Sequence, residues 1–187
     1  MGNVGGYESH HRHRAKVTEP TKPIAPTKTA IKISNHHYEI ELSKIPYLAA
    51  YARFEANTKA NTNPGSLLVH GPIALFEVAL IGIRLGYGNC FDFLPAELPH
   101  YHTLCDTYDF LQVDGLTKQS FEQIKRDMKL DMFKARDAAF RLVYLILIGE
   151  FKDDELDSNK AYNVVLYVLG HHEIFTPQIR RVVRAAY

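Results

Sequence analysis

The chain has 187 residues, is 46% hydrophobic, carries 11 Tyr, 10 Phe and no Trp, and has a formal net charge of +1. That length suits one domain of ordinary size with a tail and a short helical extension, and the apolar fraction excludes global disorder. Both ends are mildly basic and the body is acidic, a thin footprint for holding a polyanion, so nucleic acid is not the expected partner.

Residues 1–30 mix Gly2, Gly5, Gly6, Pro20, Pro23 and Pro26 with Lys, Thr and His and show no apolar periodicity. Such a segment cannot bury enough surface to offset its ordering entropy, and a disordered basic tail is expected. It lacks the apolar core of a signal peptide, and Gly6 stands where a myristoylation motif has Ser or Thr. Ile31-Lys32-Ile33-Ser34 and Tyr38-Glu39-Ile40-Glu41-Leu42 alternate apolar with polar, the period of half-buried strands, and Asn35-His36-His37 between them predicts a hairpin turn. Ser43 is a candidate cap for a helix bearing Ile45, Tyr47, Leu48, Tyr51 and Phe54, with Pro46 in its first turn. The polar run from Asn57 to Ser66 predicts a loop into a short strand, Leu67-Leu68-Val69.

Gly71-Pro72 is a start signal for a helix whose stripe is Leu75, Phe76, Ala79, Leu80 and Ile83, ended by Gly86 and Gly88. From Glu97 to Arg126 the apolar residues recur three and four positions apart: Leu98, Tyr101, Leu104 and Tyr108, then Leu116, Phe121 and Ile124. A break at Val113-Asp114-Gly115 makes this a helical pair. Leu130, Phe133, Phe140, Val143, Tyr144 and Leu147 form a long stripe ending at Gly149. Ser158 could cap a helix with Tyr162, Val165, Leu166 and Leu169, closed by Gly170, and Thr176-Pro177 opens a last helix with Ile179, Val182, Val183 and Ala186. No internal repeat of fixed period is present, and no apolar run reaches the roughly 18 residues that would span a bilayer.

Residues of catalytic or metal-binding type are few and poorly spaced. His102, Cys105 and Asp106 can share one helix face, which makes a small metal-dependent enzyme the alternative reading; His100 points about 200° away from His102. Cys105 with His102 lacks a nucleophile turn, Gly86-Tyr87-Gly88 lacks the third glycine of a dinucleotide loop, and Asp153-Asp154-Glu155 sits in a connection. His171-His172-Glu173 reads as a polar turn after a helix stop, and His10-His11-Arg12-His13 as a solvated tract. Arg180 and Arg184, one turn apart beside Arg181, make a basic edge, and with the basic tail they carry a second alternative, nucleic-acid binding. Neither of the two cysteines, Cys90 and Cys105, lies in a Cys-x-x-Cys spacing. They suit a reducing compartment, and a cytoplasmic or nuclear location is expected. No cofactor is expected and no catalytic residue is assigned.

The order strand hairpin, helix, short strand, helical pair and then two more helices resembles the BTB/POZ family, over about residues 31–127. Leu75-Phe76 through Ile83 and Gly86 look like the family's Phe-x-x-x-Leu-x-x-Ile-x-x-Gly helix, and Leu104-Cys105-Asp106-Thr107-Tyr108-Asp109-Phe110-Leu111-Gln112-Val113 with Leu116 its closing helical pair. The resemblance implies an α+β fold, a small sheet packed on a cluster of helices, with 128–187 as a helical C-terminal extension. It further implies a non-catalytic protein–protein interaction module that self-associates or recruits partners as an adaptor. The family's first helix contributes to self-association, which by position implicates Tyr47, Leu48, Tyr51 and Phe54 in a homodimer. Some members recruit a cullin ubiquitin ligase through a hydrophobic-x-Glu motif; Pro95-Ala96-Glu97 departs from it at the first position. Tyr38-Glu39-Ile40-Glu41-Leu42-Ser43 also departs from the Asp and Ala-His of many members, and 1–30 lacks the extra amphipathic helix of dimerising ones.

Overall fold

The computed structural model describes residues 1–2, 28–58, 67–115, 118–149 and 158–187. Most of the expected tail, most of the 57–66 loop, Leu116, the His10–His13 tract and the 153–155 carboxylates lie outside these residues. Among the described residues the architecture is α+β, a three-stranded sheet and eight α-helices.

Strands β1 (Thr29–Ile33) and β2 (His36–Ile40) pair antiparallel. The strand begins two residues before Ile31, and the turn is only Ser34-Asn35, with Ser34 at φ 54°. His36 and His37, expected in the turn, instead face Ile33 and Lys32 across the ladder, because two residues suffice to close a hairpin. Ile31, Ile33 and Ile40 are buried.

Helix α1 (Pro46–Thr58) opens on its proline, which has no N–H to satisfy. Ser43 does not cap it: it lies in a single 3-10 turn, Leu42–Lys44, and donates to Glu41 at 3.2 Å. The Tyr47 N–H donates instead to the Leu111 carbonyl at 3.2 Å, tying the start of α1 to a distant segment. Strand β3 (Leu68–His70) then lies parallel to β1, giving the order β2-β1-β3. Such a pairing needs a long crossover, which α1 supplies. Both outer strands have a carbonyl occupied by a side chain, Glu39 by the Arg84 guanidinium and Val69 by the Tyr51 hydroxyl.

Helix α2 (Phe76–Leu85) starts four residues after Pro72, which is therefore not its first residue; Leu75 precedes it in the left-handed region at φ 47°. Gly86, at φ 103°, ends it as expected. After a 3-10 turn, Tyr87–Asn89, comes the short α3 (Cys90–Phe93), too brief to register as a period in the sequence. The helical pair is α4 (Leu98–Phe110) and α5 (Phe121–Asp127). In α4 Tyr101, Leu104, Cys105 and Tyr108 are buried, while α5 starts late, at a capping box between Ser120 and Gln123.

Helix α6 (Met132–Ile148) is capped by Asp131, whose carboxylate accepts from Phe133 and Lys134 at 3.0 Å, and stops at Gly149 with φ 83°. Leu130 and Phe133, assigned to its buried stripe, are 53% and 75% exposed. The buried face there is Ala135, Ala138 and Ala139. A side chain at Gly88 would come within 2.9 Å of the Asp137 nitrogen, so the 3-10 turn meets α6 backbone to backbone and only small residues fit between them. In α7 (Ser158–Gly170) the buried face is Ala161, Val164, Val165 and Val168, with Tyr162 and Leu166 exposed. Helix α8 (Pro177–Ala186) forms as expected, capped by Thr176 and burying Ile179, Val182 and Val183.

The C-terminal helices pack on the rest. Phe140 of α6 meets the rings of Tyr87, Phe91 and Tyr108 at 5.7, 5.8 and 6.2 Å between centroids. Gln178 of α8 donates to the carbonyls of Phe91 and Leu94. One apolar core runs from Ile31 to Val183 without a break after residue 127. Among the described residues no helix is long and apolar enough to cross a membrane.

Candidate interaction surface

Three chain-distant elements, α1, β3 and the end of α4, meet at an aromatic surface. Tyr47, Tyr51 and Phe54 recur along one side of α1 at helical spacing. His70 closes β3 beside them, its ring 5.6 Å from that of Tyr47 and 4.9 Å from that of Tyr51, both edge-on. Phe110, the last residue of α4, lies 4.4 Å from Tyr47 and 6.3 Å from His70. Phe54 is 64% exposed, and Phe110, Val69 and Leu67 are also exposed.

Hydrogen bonds hold the surface in one shape. Nδ1 of His70 lies 2.9 Å from the Gly71 carbonyl, which can only accept, so in the neutral ring the proton sits on Nδ1. Nε2 is then an acceptor, and the Tyr47 hydroxyl 2.9 Å away donates to it. The Tyr51 hydroxyl donates to the Val69 carbonyl at 2.6 Å. Rings held this way present apolar area that loses little rotamer entropy on binding, the property that makes aromatic residues effective at interfaces.

Of the four residues expected at an interface, the structure brings Tyr47 and Tyr51 into this surface as half-buried elements and leaves Phe54 standing out from α1. Leu48 is a correction: it is fully buried and belongs to the core, one position round the helix from Tyr47. His70 and Phe110 were missed. Phe110 stood in the sequence as one more apolar residue of a helical stripe, and nothing local places it beside residues 47 and 70.

The metal-binding alternative is not assembled. Helix α4 turns Tyr101, Leu104 and Tyr108 to the core with Cys105 at the edge of that face, while His102 and Asp106, a further 60° to 100° round at about 100° per residue, are exposed. Burial pushes the Cys105 thiol up to about 12, unsuited to act as a thiolate ligand or nucleophile. Among the described residues no three His, Cys, Asp or Glu side chains are placed to hold a metal ion. At the basic C-terminal edge, Arg181 and Arg184 are exposed and Arg180 is half-buried. Glu97 of the Pro95-Ala96-Glu97 motif is exposed at the start of α4, its carboxylate 3.7 Å from Nδ1 of His100. Compared with known proteins, the chain matches no protein-family model, no curated protein and no solved structure.

Proposed function

We propose that the chain is a non-catalytic interaction module of the BTB/POZ kind that self-associates or holds a partner protein through the α1–β3–α4 aromatic surface. The observation that carries this reading is a cluster of rings from three distant segments, Tyr47, Tyr51 and His70 tied by hydrogen bonds and Phe110 packed on Tyr47, beside the exposed Phe54 and Val69. Exposed aromatic groups held rigid are an expected signature of a docking surface. The resemblance rests on the order of elements, and the α+β architecture with a hairpin, α1, β3 and the α4–α5 pair is compatible with that order.

The test is the mass in solution by light scattering over a concentration series, for the full chain and for Phe54→Asp. Phe54 is exposed, so the variant keeps its far-ultraviolet circular dichroism and melting temperature. A dimer or larger assembly that falls to monomer in Phe54→Asp supports self-association through this surface. A full chain that is monomeric at every concentration overturns self-association, and an assembly indifferent to Phe54→Asp moves the interface elsewhere.

A further inference from the structure

Between α5 and α7 lies a cavity of about 260 Å³ that the aromatic surface does not touch. Three lysines line it, Lys125 and Lys129 from α5 and its end and Lys160 from α7, over Met128, Val164 and Tyr167. Met128 and Val164 are buried core residues, so the cavity has an apolar floor. The cations are incompletely compensated. Glu122 lies 3.1 Å from Lys125 and 3.9 Å from Lys160, and Lys129 has no carboxylate partner among the described residues. Three lysines thus border one space with a single carboxylate shared between two of them, and a bound anion adds compensating charge.

We propose that this cavity binds an aryl phosphate, with the ring on the apolar floor and the phosphate among the three ammonium groups. Its volume falls just below the roughly 300 Å³ at which drug-sized ligand cavities begin, which suits a single ring and its substituent. A polarizable thioether and a tyrosine are favourable neighbours for an aromatic ring. The choice of phosphate follows from the cations: a carboxylate is best matched by the planar fork of Arg, whereas separate lysines act as point charges around the several oxygens of a dianion. The Asn163 amide, also at the cavity, adds a hydrogen-bond donor. The same chemistry occurs in a free aryl phosphate and in a phosphotyrosine side chain of a protein partner.

The test titrates the full chain at pH 7.5 with phenyl phosphate, inorganic phosphate, phenol and a blocked five-residue phosphotyrosine peptide, following backbone amide shifts by NMR. Phenyl phosphate shifts the amides of Lys125, Lys129, Lys160 and Asn163 saturably, and binds at least tenfold more tightly than inorganic phosphate or phenol. The exposed double variant Lys129→Gln with Lys160→Gln keeps its fold and loses at least tenfold in affinity, whereas Lys44→Gln, away from the cavity, does not. A peptide that binds more tightly than phenyl phosphate identifies a protein source, and one that binds more weakly identifies a free ligand. Equal binding of inorganic phosphate, shifts spread over unrelated lysines, or an unaffected double variant overturns the site. These readouts are independent of the mass measurement that tests self-association.

Discussion

Burial keeps both thiols of the chain protonated. Cys90 and Cys105 are 0% and 5% exposed, and loss of solvation pushes them from 9.0 to about 11 and about 12. The Tyr108 hydroxyl, 3.4 Å from the Cys90 sulfur, opposes the rise at Cys90 without cancelling it. A folded-state value raised above the unfolded one favours the unfolded chain once the group ionises there. The stability is therefore complete below pH 9 and is lost as pH climbs from 9 through 11 and 12. Tyr87 and Tyr144, both raised to about 12 by burial, act in the same direction. Urea unfolding in the presence of reductant should lose about 3 kcal/mol between pH 7.5 and pH 10, since each thiol crosses about one unit of ionisation worth about 1.36 kcal/mol. An unchanged midpoint would refute the burial of both thiols. The sequence put neither cysteine in a Cys-x-x-Cys spacing, and in the structure both are free and buried in the core.

At the scale of elements, the approach of α2 to α4 depends on a missing side chain. A Cβ at Gly82 would lie 2.1 Å from the Tyr108 hydroxyl and 2.9 Å from the Cys90 sulfur, and that hydroxyl bonds the Ala79 carbonyl of the same helix at 3.3 Å. Gly82→Ala should destabilise the fold by about 2 kcal/mol, in the range for overpacking a core. Removing the hydroxyl in Tyr108→Phe clears the closest clash, so the double variant should lose at least about 1 kcal/mol less than the sum of the two single losses. Denaturant titration of the four proteins measures the cycle, and strict additivity would mean the two groups do not meet. A second tie holds the segment just before α2 to α4: the Thr107 hydroxyl lies 2.8 Å from the Ala74 carbonyl and from the Thr103 carbonyl of its own helix, and can donate to one at a time. Gly82 lies inside the apolar stripe of α2, and nothing local in the sequence explains it. Its reason is a partner helix far along the chain, which a helical period does not encode.

For the whole molecule, the decisive feature is that the helices after residue 127 complete the core. Phe140 fills the space between Tyr87, Phe91 and Tyr108, and α8 lies on α4 and α6. A chain cut after Met128 would uncover Tyr87, Phe91 and Tyr108 where Phe140 covers them, large side chains at about 1.5–3 kcal/mol of burial each, against a typical total stability of about 5–15 kcal/mol. Residues 28–128 should therefore show no cooperative thermal transition by circular dichroism and poor dispersion of amide resonances. A sharp transition in that fragment would establish that the first part folds alone.

The local chemistry of the chain was enough to determine where several elements begin or end. The alternation of Ile31 to Ile33 and Tyr38 to Leu42, the glycines at 86 and 149 and the Thr176-Pro177 start each act within a few residues, through backbone conformation or a hydrogen bond to a neighbour. Only the tertiary structure decided which face is inside at the start of α6 and in α7. The large apolar residues Phe133, Tyr162 and Leu166 lie outside, and small ones such as Ala135, Ala138 and Val164 lie inside. Where backbones approach closely, volume rather than hydrophobicity selects the buried face, and that volume is set by the opposing element. The same holds for the two candidate sites, the rings of residues 47, 51, 70 and 110 and the lysines of residues 125, 129 and 160, because only the packed fold makes neighbours of segments this far apart in the chain.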